Sequence, residues 1–404
     1  MAIILIEPSA QRGKYYPVTH TRSIADMVWG IFTLREWWMV MTGQAVHVLT
    51  GDYLQANLPE LNNESHYFVR SGLVPTAELW EAMQEDKASF FVDTDNRFLA
   101  FSGAAVGVDG RTEKQLLDLF TNEPVKLPTT QKCREWKQTE AVVLETPERL
   151  LRHLGQLIGA QFDWIKGTEV SAPLSATNQV KGAAHVFLAP GAKVEFALLN
   201  ADTGPIYIGE DAEVMEGAMI RGPFALGAGA VVKMGARIYG ATATGPKCIL
   251  GGEIKNVLFH KGTNKGHDGY LGDSIVGAWC NFGAGSGNSN VKNTGGEVSL
   301  YDYTSDSYRA VGHKFGLLMG DYTRVAIGSS INTGSSIGVC CNVFGPGLLP
   351  RRLPEFSWGT GTSLAPYSIE KAILHLENWM AFKGERPSAL EIQILRHIFE
   401  HIGT

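Results

Sequence analysis

The sequence predicts a chain in three parts: an α/β domain, a parallel β-helix and a short helical tail. Three observations carry this. Glycine punctuates a six-residue apolar period between Gly182 and Gly347, strand-like and helix-like segments alternate ahead of it, and two amphipathic helical segments lie beyond Pro350.

In the first part, Ala2–Ile6 is a continuous apolar run of the kind that forms a buried strand, and Val46–Leu49 and Tyr67–Val69 are the next candidate strands. Between them Ile24–Met41 and Thr76–Gln84 have helical spacing, each entered from a Ser or Thr. Strands alternating with helices predict an α/β layer with a parallel sheet over residues 1–165. Thr146–Leu157 opens on Thr-Pro-Glu-Arg, a good helix start, and links the domains through Gly159–Pro173.

The second part, residues 166–350, rests on the glycines. Of 46 in the chain, 31 fall between Gly182 and Gly347, so the chain is turning tight corners at short intervals. From Ile208, apolar residues recur at Val214, Ile220, Leu226, Val232 and Ile238, and the next positions in phase are Thr244, Leu250 and Asn256. Seven of these nine are large aliphatics. Val276 and Phe282 lie six apart, and Met319, Val325, Ile331, Ile337 and Val343 form a second run. Upstream, Leu188 and Val194 begin the pattern before an irregular step at Asn200–Ile206. Neither a helix nor a two-faced strand sustains a period of six. A solenoid does, if each six-residue step is one side of a triangular coil and the in-phase aliphatic points into the prism.

The third part, residues 351–404, reads as two amphipathic helices, Ser368–Phe382 and Ser388–His401, separated by a Gly-Glu-Arg-Pro breaker at Gly384–Pro387. They are expected to cap the solenoid end or to pack on a neighbouring subunit.

Composition bounds what such a chain does. At 404 residues it has room for two to three domains, and a net charge of −6 gives no general attraction to nucleic acid or anionic lipid. Apolar residues at 44% exclude wholesale disorder, and no apolar run approaches the roughly 18 residues that span a bilayer. The opening Met-Ala-Ile-Ile-Leu-Ile-Glu-Pro lacks the charged start of a secretory signal. The five cysteines, Cys133, Cys248, Cys280, Cys340 and Cys341, form no C-x-x-C pair and read as buried thiols. A soluble, cytoplasmic protein is expected.

The period breaks at Phe259–Tyr270 and again over the polar stretch Ser286–Arg309, and loops thrown out of a rigid solenoid are natural places for chemistry. The first break carries Gly266-His267-x-x-Tyr270-Leu271-Gly272-Asp273; Asn281-Phe282-Gly283-Ala284-Gly285 and Asn290 follow, and Gly252-Glu253-Ile254-Lys255 precedes it. This run resembles the acetyltransferase half of the bifunctional bacterial enzymes that make UDP-N-acetylglucosamine. The whole chain, including Phe356-Ser357-Trp358-Gly359, is similar to a variant family of sugar nucleotidyltransferases with a shorter N-terminal domain.

The resemblance implies a left-handed hand for the β-helix and a nucleotidyltransferase-like fold for the front domain. It implies acetyl transfer from acetyl-CoA, as co-substrate, to an amino-sugar 1-phosphate such as glucosamine-1-phosphate. A neutral imidazole suits the base that such a transfer needs, so His267 is the catalytic candidate. Arg237 and Lys255 would hold the sugar phosphate, one as a fork and one as a point charge. Tyr270, Asn281 and Asn290 would hydrogen-bond the substrate, and Ala284 would leave room for the thioester end of CoA. Asparagine ladders are also a structural device in β-helices, which gives Asn281 a second reading. The resemblance further implies a homotrimer in which neighbouring subunits complete each site.

The front domain departs from the family's pattern. After Ile6 it offers Glu7-Pro8-Ser9-Ala10-Gln11-Arg12-Gly13-Lys14, with one glycine where a Gly-rich phosphate loop is usual, and Pro17-Val18-Thr19 followed by Arg22. Arg12, Lys14 and Arg22 are candidates for the phosphates of UTP or dTTP, or else structural loop cations. Nucleotidyl transfer also wants carboxylates for Mg²⁺, and here Arg70-Ser71-Gly72 stands where Gly-Asp is usual, with Asp26 and Asp52 the nearby acids and no metal ligands defined.

Three alternatives remain at this level. One is a sugar-1-phosphate nucleotidyltransferase, uridylyl or thymidylyl, with a regulatory or trimerising β-helix. Another is a zinc β-helix of the carbonic-anhydrase type recruiting His260, His267 and His313. The last is a non-catalytic trimeric sugar-nucleotide binding protein.

Overall fold

A computed structural model describes residues 1–54, 65–86, 90–95, 97–104, 120, 133–136 and 142–401. The chain divides into two compact units. One comprises Met1–Tyr15, Arg22–Met27 and Phe32–Thr146; the other comprises Pro147–Thr404 with the short segments Tyr16–Thr21 and Val28–Ile31.

In the first unit the buried run Ile3–Ile6 is strand β1, followed by the short helix α1 (Ser9–Gly13), helix α2 (Leu34–Thr42), β2 (Val46–Leu49), β3 (Ser65–Arg70), helix α3 (Ala77–Glu85), β4 (Phe90–Val92), β5 (Phe98–Ala104) and β6 (Cys133–Glu135). The sheet order is β2-β1-β3-β5-β4-β6. Ile3 pairs in parallel with both Val46 and Tyr67, so the expected parallel sheet is present at β2-β1-β3. Beyond it the sheet is mixed: β5 runs antiparallel to β3 and β4. The β4–β5 link is a tight turn closed by Asp93 and Arg97, too short for a parallel crossover. Phe68 and Phe90 stack on Phe101 with ring centroids 4.6 and 5.1 Å apart.

The helix expected over Ile24–Met41 is broken. Only Ile24–Asp26 makes a helical turn before Leu34, where Thr33 and Glu36 form a capping box. Gly30, with φ of +134°, has a backbone that a helix cannot contain.

The second unit is a parallel β-solenoid of about ten turns. Val214 pairs with Val232 and Val232 with Leu250, eighteen residues apart each time, which is the coil length that the six-residue period requires. Ile208, Val214, Ile220, Leu226, Val232, Ile238 and Leu250 are all at least 98% buried in one continuous core. Each such side chain withdrawn from water contributes roughly 1.5–3 kcal/mol. The corners need glycine for a steric reason: a Cβ on Gly227 would sit 2.5 Å from the Gly245 backbone one coil on.

The phase slips where the sequence places Asn256. Ile238 pairs with Ile254, so this coil is two residues short, and Ile254 and Val257 take the inward positions while Asn256 turns outward at φ of +55°. A second correction concerns Phe259–Tyr270, which is not a loop thrown out of the solenoid. Asn264–Lys265 pairs with Ile249–Leu250 below and Asn264 with Asn281 above, so the segment is a shortened coil. The expected excursion over Ser286–Arg309 starts later than the sequence suggests: Gly287–Asn288 still pairs in parallel with Ser330–Ile331, and the chain leaves the solenoid only beyond it, carrying an antiparallel hairpin of Val298–Asp302 with Ser307–Gly312.

Helix α4 (Pro147–Thr168) opens this unit and lies against the solenoid, with Glu148 forked to Arg309 at 2.7 and 3.0 Å. The tail forms α5 (Ile369–Ala381) and α6 (Ala389–His401). Rather than capping the end, this pair runs back along one side of its own solenoid. Lys383 donates to Gly262 O and Asn264 Oδ1 at 2.9 and 2.7 Å, Tyr322 donates to Glu391 at 3.2 Å, and Arg324 lies 5.3 Å from the Trp379 ring centroid. No helix among the described residues is long and apolar enough to cross a membrane.

Candidate functional site

Stacking in register decides which outward side chains become neighbours. On one side of the prism, Arg237 pairs with Glu253 and Glu253 with Tyr270, while Tyr239 pairs with Lys255 and Lys255 with Gly272. Residues far apart in sequence therefore lie one strand spacing apart, about 4.8 Å. Tyr239 donates to Glu253 Oε1 at 2.6 Å, and that bond holds its phenol above the usual range. Tyr270 lies across Gly272, where a Cβ would meet its hydroxyl at 2.1 Å, and burial raises its pKa. Asp273, buried and with φ of +47°, accepts from Asn256 Nδ2 at 2.7 Å and from Asn290 Nδ2.

The corner leading onto this side carries His267. The coil register puts Gly252, His267 and Ala284 on successive turns of the same corner. A Cβ on Gly252 would meet His267 O at 2.7 Å, which leaves backbone beneath the histidine. The next residue, Asp268, has its carbonyl held by Gly285 N at 3.0 Å and its carboxylate 3.9 Å from Arg237 Nη2. The His267 imidazole is exposed and makes no hydrogen bond among the described residues.

Of the residues singled out from the sequence, the fold thus gathers Arg237, Lys255, Tyr270 and Asn290 on one side, with His267 and Ala284 at its corner. Asn281 sits apart from them on the adjoining side. Its column runs Asn264, Asn281, Arg324, and its two neighbours are the ones engaged by Lys383 and Trp379 of the C-terminal segment.

An open groove of about 750 Å³ continues along the Arg237 side past Arg221, Met219, Leu198, Asn200 and Lys181. Sequence reasoning missed three members of the site's surroundings. Tyr239 and Asn256 carry no motif of their own, and Lys265 is hidden because the shortened coil takes it out of the six-residue phase.

The first unit closes around its candidate cations. At the carboxyl ends of β1 and β2, where open α/β sheets bind ligands, Glu7 is buried and accepts from Thr50 Oγ1 at 2.6 Å and from Ile24 N. Burial, opposed in part by Arg12, pushes the Glu7 carboxyl up to about 7. Arg12 is itself buried, donating to Thr50 Oγ1 at 3.3 Å with its guanidinium 5.0 Å from the Tyr53 ring centroid. Lys14 and Arg22 are half-buried.

The carboxylates are no freer. Asp26 takes both Nε and Nη2 of Arg35, at 2.7 and 2.9 Å, and Arg70 at the end of β3 is buried against Glu145 at 2.9 Å. The Asp52 side chain lies outside the described residues. Among the described residues no group of three or more His, Cys, Asp or Glu is placed to hold a metal ion, and His260, His267 and His313 form no such cluster.

An α/β domain ahead of a parallel β-solenoid is the class of architecture in hand, and comparison with known proteins finds likenesses to both parts. Residues 3–169 match the family described as sugar nucleotidyl transferase. The chain is also similar to the bifunctional protein GlmU of Methanococcus vannielii, 34% identical over 86 residues, which is 21% of this chain and 20% of that protein. It therefore spans about a fifth of the length of that curated relative. Among solved structures, an Arabidopsis UDP-N-acetylglucosamine acyltransferase covers 57% of this chain and 90% of its own at 11% identity and a TM-score of 0.30. A UDP-N-acetylglucosamine acyltransferase from Bacteroides fragilis covers 57% and 98%, with the same identity and TM-score.

Proposed function

We propose that this protein is a sugar-phosphate transferase of nucleotide-sugar synthesis whose solenoid acetylates an amino-sugar 1-phosphate from acetyl-CoA. The observation that carries this reading is the register of Arg237, Glu253 and Tyr270 on three successive coils, with His267 at the corner three residues before Tyr270. Arg237 and Lys255 bind the phosphate, the first through its planar fork and the second as a point charge. Tyr270 and Asn290 hydrogen-bond the sugar. His267 takes the proton of the amine as its nitrogen attacks the thioester carbonyl. The N–C bond forms, the C–S bond breaks, and CoA leaves as its thiol. Ala284, one coil along from His267, leaves space at the corner for the thioester.

Asn281 faces the adjoining side, so its part in the same site belongs to the homotrimer, where a neighbouring subunit presents that side. An exposed imidazole that makes no hydrogen bond among the described residues fits a site that a second subunit completes. The test is thiol release from acetyl-CoA with glucosamine-1-phosphate, abolished in His267→Ala. Release in that variant at the parent rate overturns the reading.

A second activity is favoured by the match over residues 3–169: nucleotidyl transfer from UTP or dTTP to a sugar-1-phosphate, with Mg²⁺. Arg12, Lys14 and Arg22 are the cations proposed for the nucleotide's phosphates, all three near the start of the matched residues. Pyrophosphate release, followed separately from thiol release, tests it. The protein is placed in the cytoplasm on the same reading.

A further inference from the structure

Lys265 is the one charged residue in an inward column that otherwise holds Val214, Val232, Leu250, Phe282, Val325 and Val343. It is 99% buried. Its ammonium reaches the turn of the corner, where it donates to Gly251 O at 3.4 Å and to the main-chain oxygen of His267. A buried charge among aliphatics is costly unless it is hydrogen-bonded, and a leucine or valine there would stabilise the prism more. What the lysine supplies instead is a charge-assisted bond, from inside the prism, to the residue that carries the exposed imidazole.

The other ties of that corner lie on either side of the His267 peptide. Gly251 N donates to Lys265 O at 2.6 Å, Gly285 N to Asp268 O at 3.0 Å and Glu253 N to Gly269 O at 3.2 Å, and the Asp268 carboxylate lies 3.9 Å from Arg237. Without the lysine, the His267 peptide would keep no side-chain hydrogen bond among the described residues.

We propose that Lys265 is a positioning residue for His267: by holding the His267 carbonyl from within the core it fixes the corner and so the direction in which the imidazole is presented. The inference rests on the reading of His267 as the base, but the geometry it asserts is testable without turnover.

Two variants separate the possibilities. Lys265→Met matches the apolar column and removes the donor; Lys265→Gln keeps an amide donor to the same carbonyl. In the full-length protein with isotope-labelled histidine, the His267 Cε1–H signal, assigned by its loss in His267→Ala, is expected to broaden or split in Lys265→Met and to remain single in Lys265→Gln. With acetyl-CoA and glucosamine-1-phosphate, kcat is expected to fall by up to about 100-fold in Lys265→Met with KM nearly unchanged, and to be largely restored in Lys265→Gln. A single unshifted His267 signal in a folded Lys265→Met overturns the proposal whatever the activity. If Lys265→Met does not fold, a Lys265→Gln protein whose His267 signal is split overturns it equally. Failure of the base reading is seen elsewhere, as undiminished turnover in His267→Ala.

Discussion

Tyr239 donates its hydroxyl to Glu253 Oε1 at 2.6 Å across one coil boundary, although the two are separated by three corners and two strands along the chain. The carboxylate that stands between Arg237 and Tyr270 in register is thereby held from the side, leaving the arginine fork outward and half exposed. That arrangement supports the proposed phosphate-binding role of this side.

Arg237→Ala and Lys255→Ala are each expected to raise KM for the sugar phosphate, by roughly tenfold or more for loss of a charge-assisted bond, with a smaller change in kcat. Steady-state kinetics at varied sugar phosphate and saturating acetyl-CoA check this. An unchanged KM in both variants removes the phosphate role from this face.

His267→Ala is expected to lower kcat by about 10²–10⁴-fold, the usual range for a general base. Because the ring is exposed and makes no hydrogen bond among the described residues, the melting temperature should stay where it is. Thiol release and a thermal melt on the same sample distinguish a lost base from a lost fold.

Leu250→Ala is expected to destabilise the solenoid by about 2–5 kcal/mol, the cost of a large-to-small change in a packed core. Leu250 is fully buried between Val232 and Lys265. The contrasting change Met234→Ala, at a side chain 66% exposed, should cost well under about 0.5 kcal/mol if that surface is free. Denaturant unfolding of both variants is the measurement.

Burial of Glu7 is expected to give the first unit a pH dependence. The Glu7 carboxyl, raised to about 7 by burial, binds its proton more tightly folded than unfolded. The folded state is therefore favoured at acid pH, and that contribution is lost as pH rises from the ordinary carboxylate range through about 7. Hydrogen exchange of β1 should accelerate between pH 5 and pH 7.5, after correction for intrinsic exchange, and Glu7→Gln should abolish the excess. A parent protein already flat over that interval contradicts the assignment.

Much of the architecture was legible because a period of six has few physical solutions. An aliphatic at every sixth residue, with glycine at the corners, is satisfied by stacked triangular coils, and the eighteen-residue pairing of Val214, Val232 and Leu250 follows. The helix starts at Thr76 and Pro147 were visible for equally local reasons, a cap in one case and a proline at the first turn in the other. Asn256 and Lys265 were not legible in the same way. Their positions depend on how many residues the shortened coils spend between corners, and only pairing with the coils on either side settles that count.

The sequence by itself determined the kinds of layer, the core column and the motif around His267, because propensity, periodicity and close glycine packing act over a few residues. The tertiary structure alone decided that Arg237, Glu253 and Tyr270 share a side, that Asn281 faces another, that the tail lies along its own solenoid and that a lysine reaches the His267 carbonyl from the core. Those are contacts between coils, and the stacking register that makes them is set by burial summed over the whole prism rather than by any one segment.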